Sequence, residues 1–408
     1  MHTLVDSGVD WLGPVPAYWK TKPLWSMFDR IKDVGHPDEQ MLSVFRDYGV
    51  VTKDSRNNLN KTAENRNIYQ LVHPGWLVTN RMKAWQGSVG ISTLRGIVSG
   101  HYICFSPRHK EDPRFLNWLF RSPVYANGYA LLSRGVRIGQ AEIDNDLYRV
   151  MPVLLPPLDE QRAIADFLDR ETARIDTLIE EQKRLIDLLT ERRASLVART
   201  LLRGTSAGTK LRLSGDAQLG HIPAHWKLVP TRHLCRIGTG GEDSGNATED
   251  GDYPFYVRGR EILRIGNYSF DGEAVMTPGD GQGGTGKVFH YFNGKFEAHQ
   301  RVYVFSDFRG VLGRYFYYYL STFLRPVALA GSNTVTMESL RRPVLADFAV
   351  ALPPLDEQAN TVIYLDDRTS KIDALIAESE KFIELARERR SALITAAVTG
   401  QIDVREAS

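Results

Sequence analysis

The sequence predicts two mixed α/β globular domains and a pair of long antiparallel helices forming a coiled coil, internally duplicated with pseudo-two-fold character. Three observations predict this. Leu155-Pro156-Pro157-Leu158-Asp159-Glu160-Gln161 recurs unchanged as Leu352-Pro353-Pro354-Leu355-Asp356-Glu357-Gln358. Each copy opens a charged, amphipathic segment of more than forty residues. Each is preceded by a globular stretch with a second shared signature: Gly13-Pro14-Val15-Pro16-Ala17-Tyr18-Trp19-Lys20 answers Gly220-His221-Ile222-Pro223-Ala224-His225-Trp226-Lys227. A period near 200 residues is too long for a solenoid unit, so the chain is a duplicated half-molecule. The expected parts are residues 1–155, a globular domain; 156–204, a central helix; 205–351, a second globular domain; and 352–408, a C-terminal helix and tail.

The globular stretches come first in each half. Short strand-like runs stand between Gly, Pro and Asn punctuation, as in Gly96 to Phe105 and Gln300 to Phe305. Helix-like runs follow, from Pro113 to Phe120 and from Leu312 to Leu320. Their aromatics fall at helical spacing and read as core rather than as a base-stacking surface. The middles of the two stretches share little, whereas their ends match. Fixed ends around a dissimilar middle suggest two domains of one fold diverged toward different targets.

The long segments follow. Pro156-Pro157 cannot lie inside a helix and holds the preceding chain extended. Asp159 is expected to cap the helix, with Glu160 in its first turn. Apolar residues recur at Ile164, Leu168, Ile175, Leu178, Ile179, Leu185, Ile186, Leu189 and Leu196, close to a heptad seam. The second copy answers with Leu365, Ile372, Leu375, Ile376, Phe382, Ile383, Ala386 and Leu393. The helices are expected to end at Arg203-Gly204 and Thr399-Gly400. A helix of ~44 residues is ~65 Å long. So long a stripe is buried by another helix, and the duplicate supplies one.

Composition narrows the class. The 408 residues are 42% hydrophobic and 25% charged, as in ordinary globular proteins. Two cysteines, Cys104 and Cys235, exclude a multi-disulfide framework and a Cys-rich zinc site. The N-terminus lacks a basic region followed by an apolar run, and no stretch approaches the roughly 18–20 apolar residues of a membrane span. A cytoplasmic protein without membrane contact is expected. Net charge is only +2. Residues 1–155 carry 19 Lys and Arg against 14 Asp and Glu, and residues 205–351 carry 16 against 14. The helical parts are neutral to acidic. This distribution suits globular domains facing a polyanion.

No catalytic constellation stands out. Gly281-Gln282-Gly283-Gly284-Thr285-Gly286-Lys287-Val288 resembles a phosphate-binding loop, but such loops sit between a strand and a helix. Here the continuation from Lys287 to Phe292 reads as a strand closed by Asn293-Gly294, and Val288 lacks the hydroxyl that magnesium needs. His221 and His225 are separated by Pro223 and share no helical face. No metal site is expected.

The doubled heptapeptide with its helix, each behind a variable globular segment, closely resembles the specificity subunit of type I restriction-modification systems. Asn80-Arg81-Met82-Lys83-Ala84-Trp85-Gln86-Gly87 and Ala298-His299-Gln300-Arg301 are similar to that family as well. The resemblance spans essentially the whole chain. It implies a non-catalytic DNA-binding subunit whose two target recognition domains each read half of a bipartite, asymmetric site in double-stranded DNA. It also implies a coiled-coil spacer between half-sites, two methyltransferase subunits that methylate adenine, and motor-nuclease subunits. No cofactor is expected in this chain; S-adenosylmethionine, ATP and Mg belong to those partners.

Base and phosphate reading calls for Arg, Lys, Asn or Gln on loops. The candidates are Arg81, Lys83, Gln86, Arg134, Arg137 and Gln140 in the first half. In the second they are Lys287, Arg301, Ser332, Asn333, Thr334 and Arg341. Asp159, Glu160, Arg192 and Arg193 are candidates for subunit contact, with capping and helix-surface pairing as the plainer roles. Two other functions fit part of the pattern: a coiled-coil scaffold that touches no DNA, and an NTP-hydrolysing protein using the loop from Gly281 to Lys287.

Overall fold

A computed structural model describes residues 3–55, 65–135, 141–206, 208–216, 218–280, 286–330 and 340–405. It has two compact units, Met1–Lys183 with Lys381–Ser408, and Arg184–Glu380. The division falls inside both long helices, Leu158–Arg203 and Leu355–Val398, rather than at their starts. Each unit thus takes the first part of one long helix and the last part of the other. Each helix segment goes with the core that buries its apolar stripe.

In the first unit, a four-stranded antiparallel sheet has the order Phe28–Ile31, Tyr102–Pro107, Leu77–Asn80, Val89–Ile91. The run from Gly96 to Phe105, expected as one strand, is two, because Ser99 to His101 turn the chain between Gly96–Val98 and Tyr102–Pro107. Helix Pro113–Arg121 is capped by Asp112, whose carboxylate accepts from the Arg114 and Phe115 amides. It buries Phe115, Leu116, Leu119 and Phe120 completely. The same core takes Ile164 and Leu168 from one long helix and Ile394, Ala397 and Val398 from the other. Asp176 pairs with Arg390 at 2.9 Å, so the helix segments run antiparallel.

The second unit repeats that sheet order, with the last two strands longer: Arg236–Thr239, Val302–Ser306, Phe270–Pro278, His290–Ala298. It then adds Tyr253–Tyr256, parallel to its neighbour, and Ile262–Ile265. The strand expected from Lys287 starts at His290 and passes through Asn293-Gly294, with Gly294 opposite Gly272. Gly294 takes a φ of +141°, which glycine alone adopts easily, so the pair does not end the strand. Helix Gly313–Ala330 buries Tyr315, Phe316 and Tyr319. Val197 and Leu201 join Leu365 in this core, and Arg193 pairs with Asp373 at 2.7 Å, again antiparallel.

Both long helices begin at the leucine after the prolines, so Asp159 and Asp356 stand in the first turn and are not caps. Within the apolar stripe, Ile164, Leu168, Ile175, Ile179 and Leu189 are buried, as are Leu365, Ile372 and Ile383. Leu178, Leu185, Leu375 and Phe382, expected in it, are 39–49% exposed. No helix among the described residues is long and apolar enough to cross a membrane.

Candidate nucleic-acid interface

The frame around each variable region explains both repeated signatures. Lys20–Pro23 pairs with Pro152–Leu155, and Lys227–Pro230 with Ala349–Leu352. The ends of each variable segment are thereby clamped together. The Trp19 indole donates to Glu160 at 3.3 Å and the Tyr18 hydroxyl at 2.9 Å. The Trp226 indole donates to Glu357 at 2.9 Å, with His225 at 2.7 Å from the other oxygen. Gln161, fully buried, donates to the Pro156 carbonyl and accepts from the Asp112 amide, both at 2.9 Å. Gln358 repeats this with Pro353 and the Leu312 amide, at the same distances. One duplicated set escaped the sequence analysis. Arg114 bonds Asp166 and Trp118 bonds Asp169, while Arg314 and Tyr318 both bond Asp366. A regular offset of 200 between Arg114 and Arg314 was the available signal.

Beyond the frame, both sheets end in the same three-segment clasp. In the first unit the Arg81 amide donates to the His101 carbonyl at 3.0 Å, and the Ile143 amide donates to the Arg81 carbonyl at 3.1 Å. In the second unit Gly279 donates to Arg301 at 2.8 Å, and Leu340 donates to Gly279 at 2.7 Å. An outgoing strand, an incoming strand and a returning loop are thus tied at one point. The two halves, unequal in their middles, each close at an equivalent tie.

In each unit this end carries several of the candidates. Arg81 is ion-paired with Glu142, and the neighbouring Arg134 with Asp144 at 3.0 Å. Asp144 also accepts the Asp146 and Leu147 amides of a short helix, and those bonds, with Arg134, hold its carboxyl below the usual range. Lys83 and Gln86 are exposed and line a cavity of about 620 Å³ with Ser43, Tyr48, Asn80 and Trp85. In the second unit Arg301 pairs with Asp280 at 3.0 Å, and exposed Arg341 follows Leu340. Lys287 is exposed in the connection between Phe270–Pro278 and His290–Ala298, which Thr277 bonds at the Val288 carbonyl. Buried His299 accepts the Arg301 amide at Nδ1; burial, then Arg258, depresses its pKa. Arg137, Gln140, Ser332, Asn333 and Thr334 lie outside the described residues.

The subunit-contact candidates separate. Asp159 and Arg192 stand exposed. Glu160 is only 7% exposed, and its oxygens are taken by Tyr18 and Trp19. Arg193 is spent on Asp373 through two bonds. Each thus has a bonding partner inside its own unit. The loop carrying Gly286 and Lys287 joins two antiparallel strands, and no helix follows it. The helix N-terminus required by a nucleotide phosphate is missing there. Among the described residues no cluster of His, Cys, Asp and Glu has the arrangement of a metal site.

Residues 223–385 match the family described as Type I restriction modification DNA specificity domain. The type I restriction enzyme EcoDI specificity subunit of Escherichia coli is 28% identical over 183 residues, covering 45% of this chain and 40% of that relative. The fold is similar to a chain from a structure on complex assembly and conformational transition of the type I R-M system. The TM-score is 0.73 at 15% identity, over 95% of this chain and 99% of the other. It is also similar to the HsdS subunit from Thermoanaerobacter tengcongensis, with a TM-score of 0.52 at 16% identity, over 95% and 98%.

Proposed function

We propose that this chain, which belongs to the family of type I restriction-modification specificity subunits, reads a bipartite, asymmetric DNA site, each unit taking one half, and directs adenine methyltransferase and motor-nuclease subunits to it without catalysing a reaction itself. The observation that carries this reading is the pair of clasps. Two sheets of one strand order end in the same hydrogen-bonded tie, yet present different side chains there: Arg81, Lys83, Gln86 and Arg134 in one, Lys287, Arg301 and Arg341 in the other. A duplicated scaffold with unlike basic loops suits two unlike half-sites. The helix pair is assigned the role of spacer between them, as dimer geometry sets half-site spacing elsewhere.

Partner docking is assigned to the helices. The first unit exposes Leu178, Phe382 and Leu385 on its helix segments, and the second exposes their duplicates Leu375, Leu185 and Leu188. Two equivalent apolar sets suit two copies of one partner, the methyltransferase subunit. Footprinting of the complex reconstituted with methyltransferase subunits tests the whole reading. Two protected half-sites flanking an indifferent spacer are expected. One continuous protected stretch, or protection without sequence preference, refutes it and leaves a coiled-coil scaffold as the better account.

A further inference from the structure

Both clasps are closed by an arginine–carboxylate pair, although different segments supply the partners. In the first unit the arginine is on the outgoing segment and the acid on the returning one, Arg81 with Glu142. In the second, the arginine is on the incoming segment and the acid on the outgoing one, Arg301 with Asp280. Each pair also holds a buried polar atom with no hydrogen-bond partner among the described residues: Arg81 Nε in one, Asp280 Oδ1 in the other. A buried donor or acceptor left unmatched costs about 1–3 kcal/mol. The pairs are also accessible, with the arginines 36% and 53% exposed. Ion pairs this exposed contribute little, about 0–1 kcal/mol, and are easily exchanged.

We infer that Glu142 and Asp280 are specificity-determining residues: each holds a DNA-reading arginine in an intramolecular ion pair that only a favourable base contact exchanges, and so suppresses sequence-independent binding. The inference rests on the DNA-reading function proposed above. A phosphate alone offers an arginine roughly what the carboxylate already supplies, one anionic acceptor. A matching base edge gives a bidentate contact that a wrong base lacks, a difference of about 1–3 kcal/mol, and so draws the arginine away from its carboxylate only at the right site. Once the arginine leaves its partner, the bared carboxylate repels backbone phosphates, so exchange onto a phosphate alone gains little. The device operates in each unit by itself, so the two halves of a site are filtered separately.

Neutralising either acid should therefore release one cation to non-specific DNA. Each additional phosphate contact steepens the dependence of log K on log salt by about 0.9, which at about 0.1 M salt corresponds to a roughly eight-fold gain. The test measures binding of the full chain, in the footprinted complex, to a target duplex and to a random-sequence duplex between 50 and 200 mM salt, about the range over which such slopes are read. Glu142→Gln and Asp280→Asn are each expected to tighten random-duplex binding by roughly five- to ten-fold and to steepen its slope by about one. Target binding should tighten less, so the specificity ratio falls. In the background of Arg81→Gln, the gain from Glu142→Gln should vanish. A gain that persists there reflects only the lost negative charge and overturns the inference, as do an unchanged slope and affinity in both variants. The variants lie in separate units, so a folding defect in one leaves the other to decide. Failure of the wild-type complex to bind any duplex at low salt would instead remove the DNA-reading function itself.

Discussion

Gln161 and Gln358 show how much one side chain organises. Each is fully buried and bridges a proline carbonyl to an amide about fifty residues earlier in the chain. Gln161→Ala strands the Pro156 carbonyl and the Asp112 amide, and is expected to cost about 1–3 kcal/mol. Denaturant unfolding measures it, and a change below 0.5 kcal/mol, about the scatter of neutral surface substitutions, refutes the role. Histidines predict a pH dependence. Burial is the main cause that holds the imidazoles of His109, His290 and His299 below their ordinary value. The folded chain thus binds fewer protons than the unfolded one once the pH falls below about 6.5, the unperturbed value. Stability is present above that pH and declines below it. The melting temperature should drop between pH 7 and pH 5, about one unit or so either side of that value, and His299→Gln should shrink the drop; an unchanged profile in both proteins counts against it. At this scale the sequence was only half legible. The identity of Glu160 and Gln161 across both repeats was visible, but not their purpose, because their partners Tyr18, Trp19 and Asp112 are distant in the chain.

Helices and their ends form the next scale. Arg193–Asp373 and Asp176–Arg390 are duplicates of one another, each inside its own unit. Both are partly exposed, so each contributes only about 0.5 kcal/mol after screening. Their value lies in register: reversing both members, Arg193→Asp with Asp373→Arg, should restore what either single reversal loses. A thermodynamic cycle on the four proteins checks this, and a coupling of zero removes the role. Helix ends make a sharper comparison. Gly204 and Gly400 take φ of +73° and +71°, the left-handed conformation that closes a helix with little strain only at glycine. A β-carbon on Gly204 would meet only the edge of Trp226 at 3.3 Å, whereas on Gly400 it would press into Pro16 and into Trp19 at 2.9 Å. Gly204→Ala is expected to cost about 1 kcal/mol, and Gly400→Ala clearly more. Equal costs would mean that the packing around Gly400 yields. The prolines, the heptad-like stripe and both glycine stops were readable in the sequence. Which stripe residues stay exposed was not, since Leu178 and Leu375 have the same hydrophobicity as their buried neighbours.

For the molecule as a whole, the spacer role makes a prediction that the half-sites do not share. One heptad added to each long helix lengthens the pair by about 10 Å, roughly three base-pair steps. The preferred spacer should lengthen and both half-sites stay as they were, which methylome sequencing reads directly. An altered half-site with an unaltered spacer refutes the assignment. The duplication, the order of parts and the mixed α/β character were all legible beforehand, because exact repeats survive where a frame must be rebuilt twice. The clasps were not, because Arg81 and Gly279, His101 and Arg301, Ile143 and Leu340 match only in backbone hydrogen bonds, which have no residue signature. The division into Met1–Lys183 with Lys381–Ser408 on one side and Arg184–Glu380 on the other has a consequence for biosynthesis. The second unit is one continuous stretch that is complete at Glu380. The first emerges earlier but needs Ile394, Ala397, Val398 and Val404 to complete its core. At ordinary translation rates, it waits about 10–40 s for them. The domain begun first is thus the one completed by the last residues, and a released chain truncated before residue 394 should expose its unfinished core to chaperones while the second unit already resists protease.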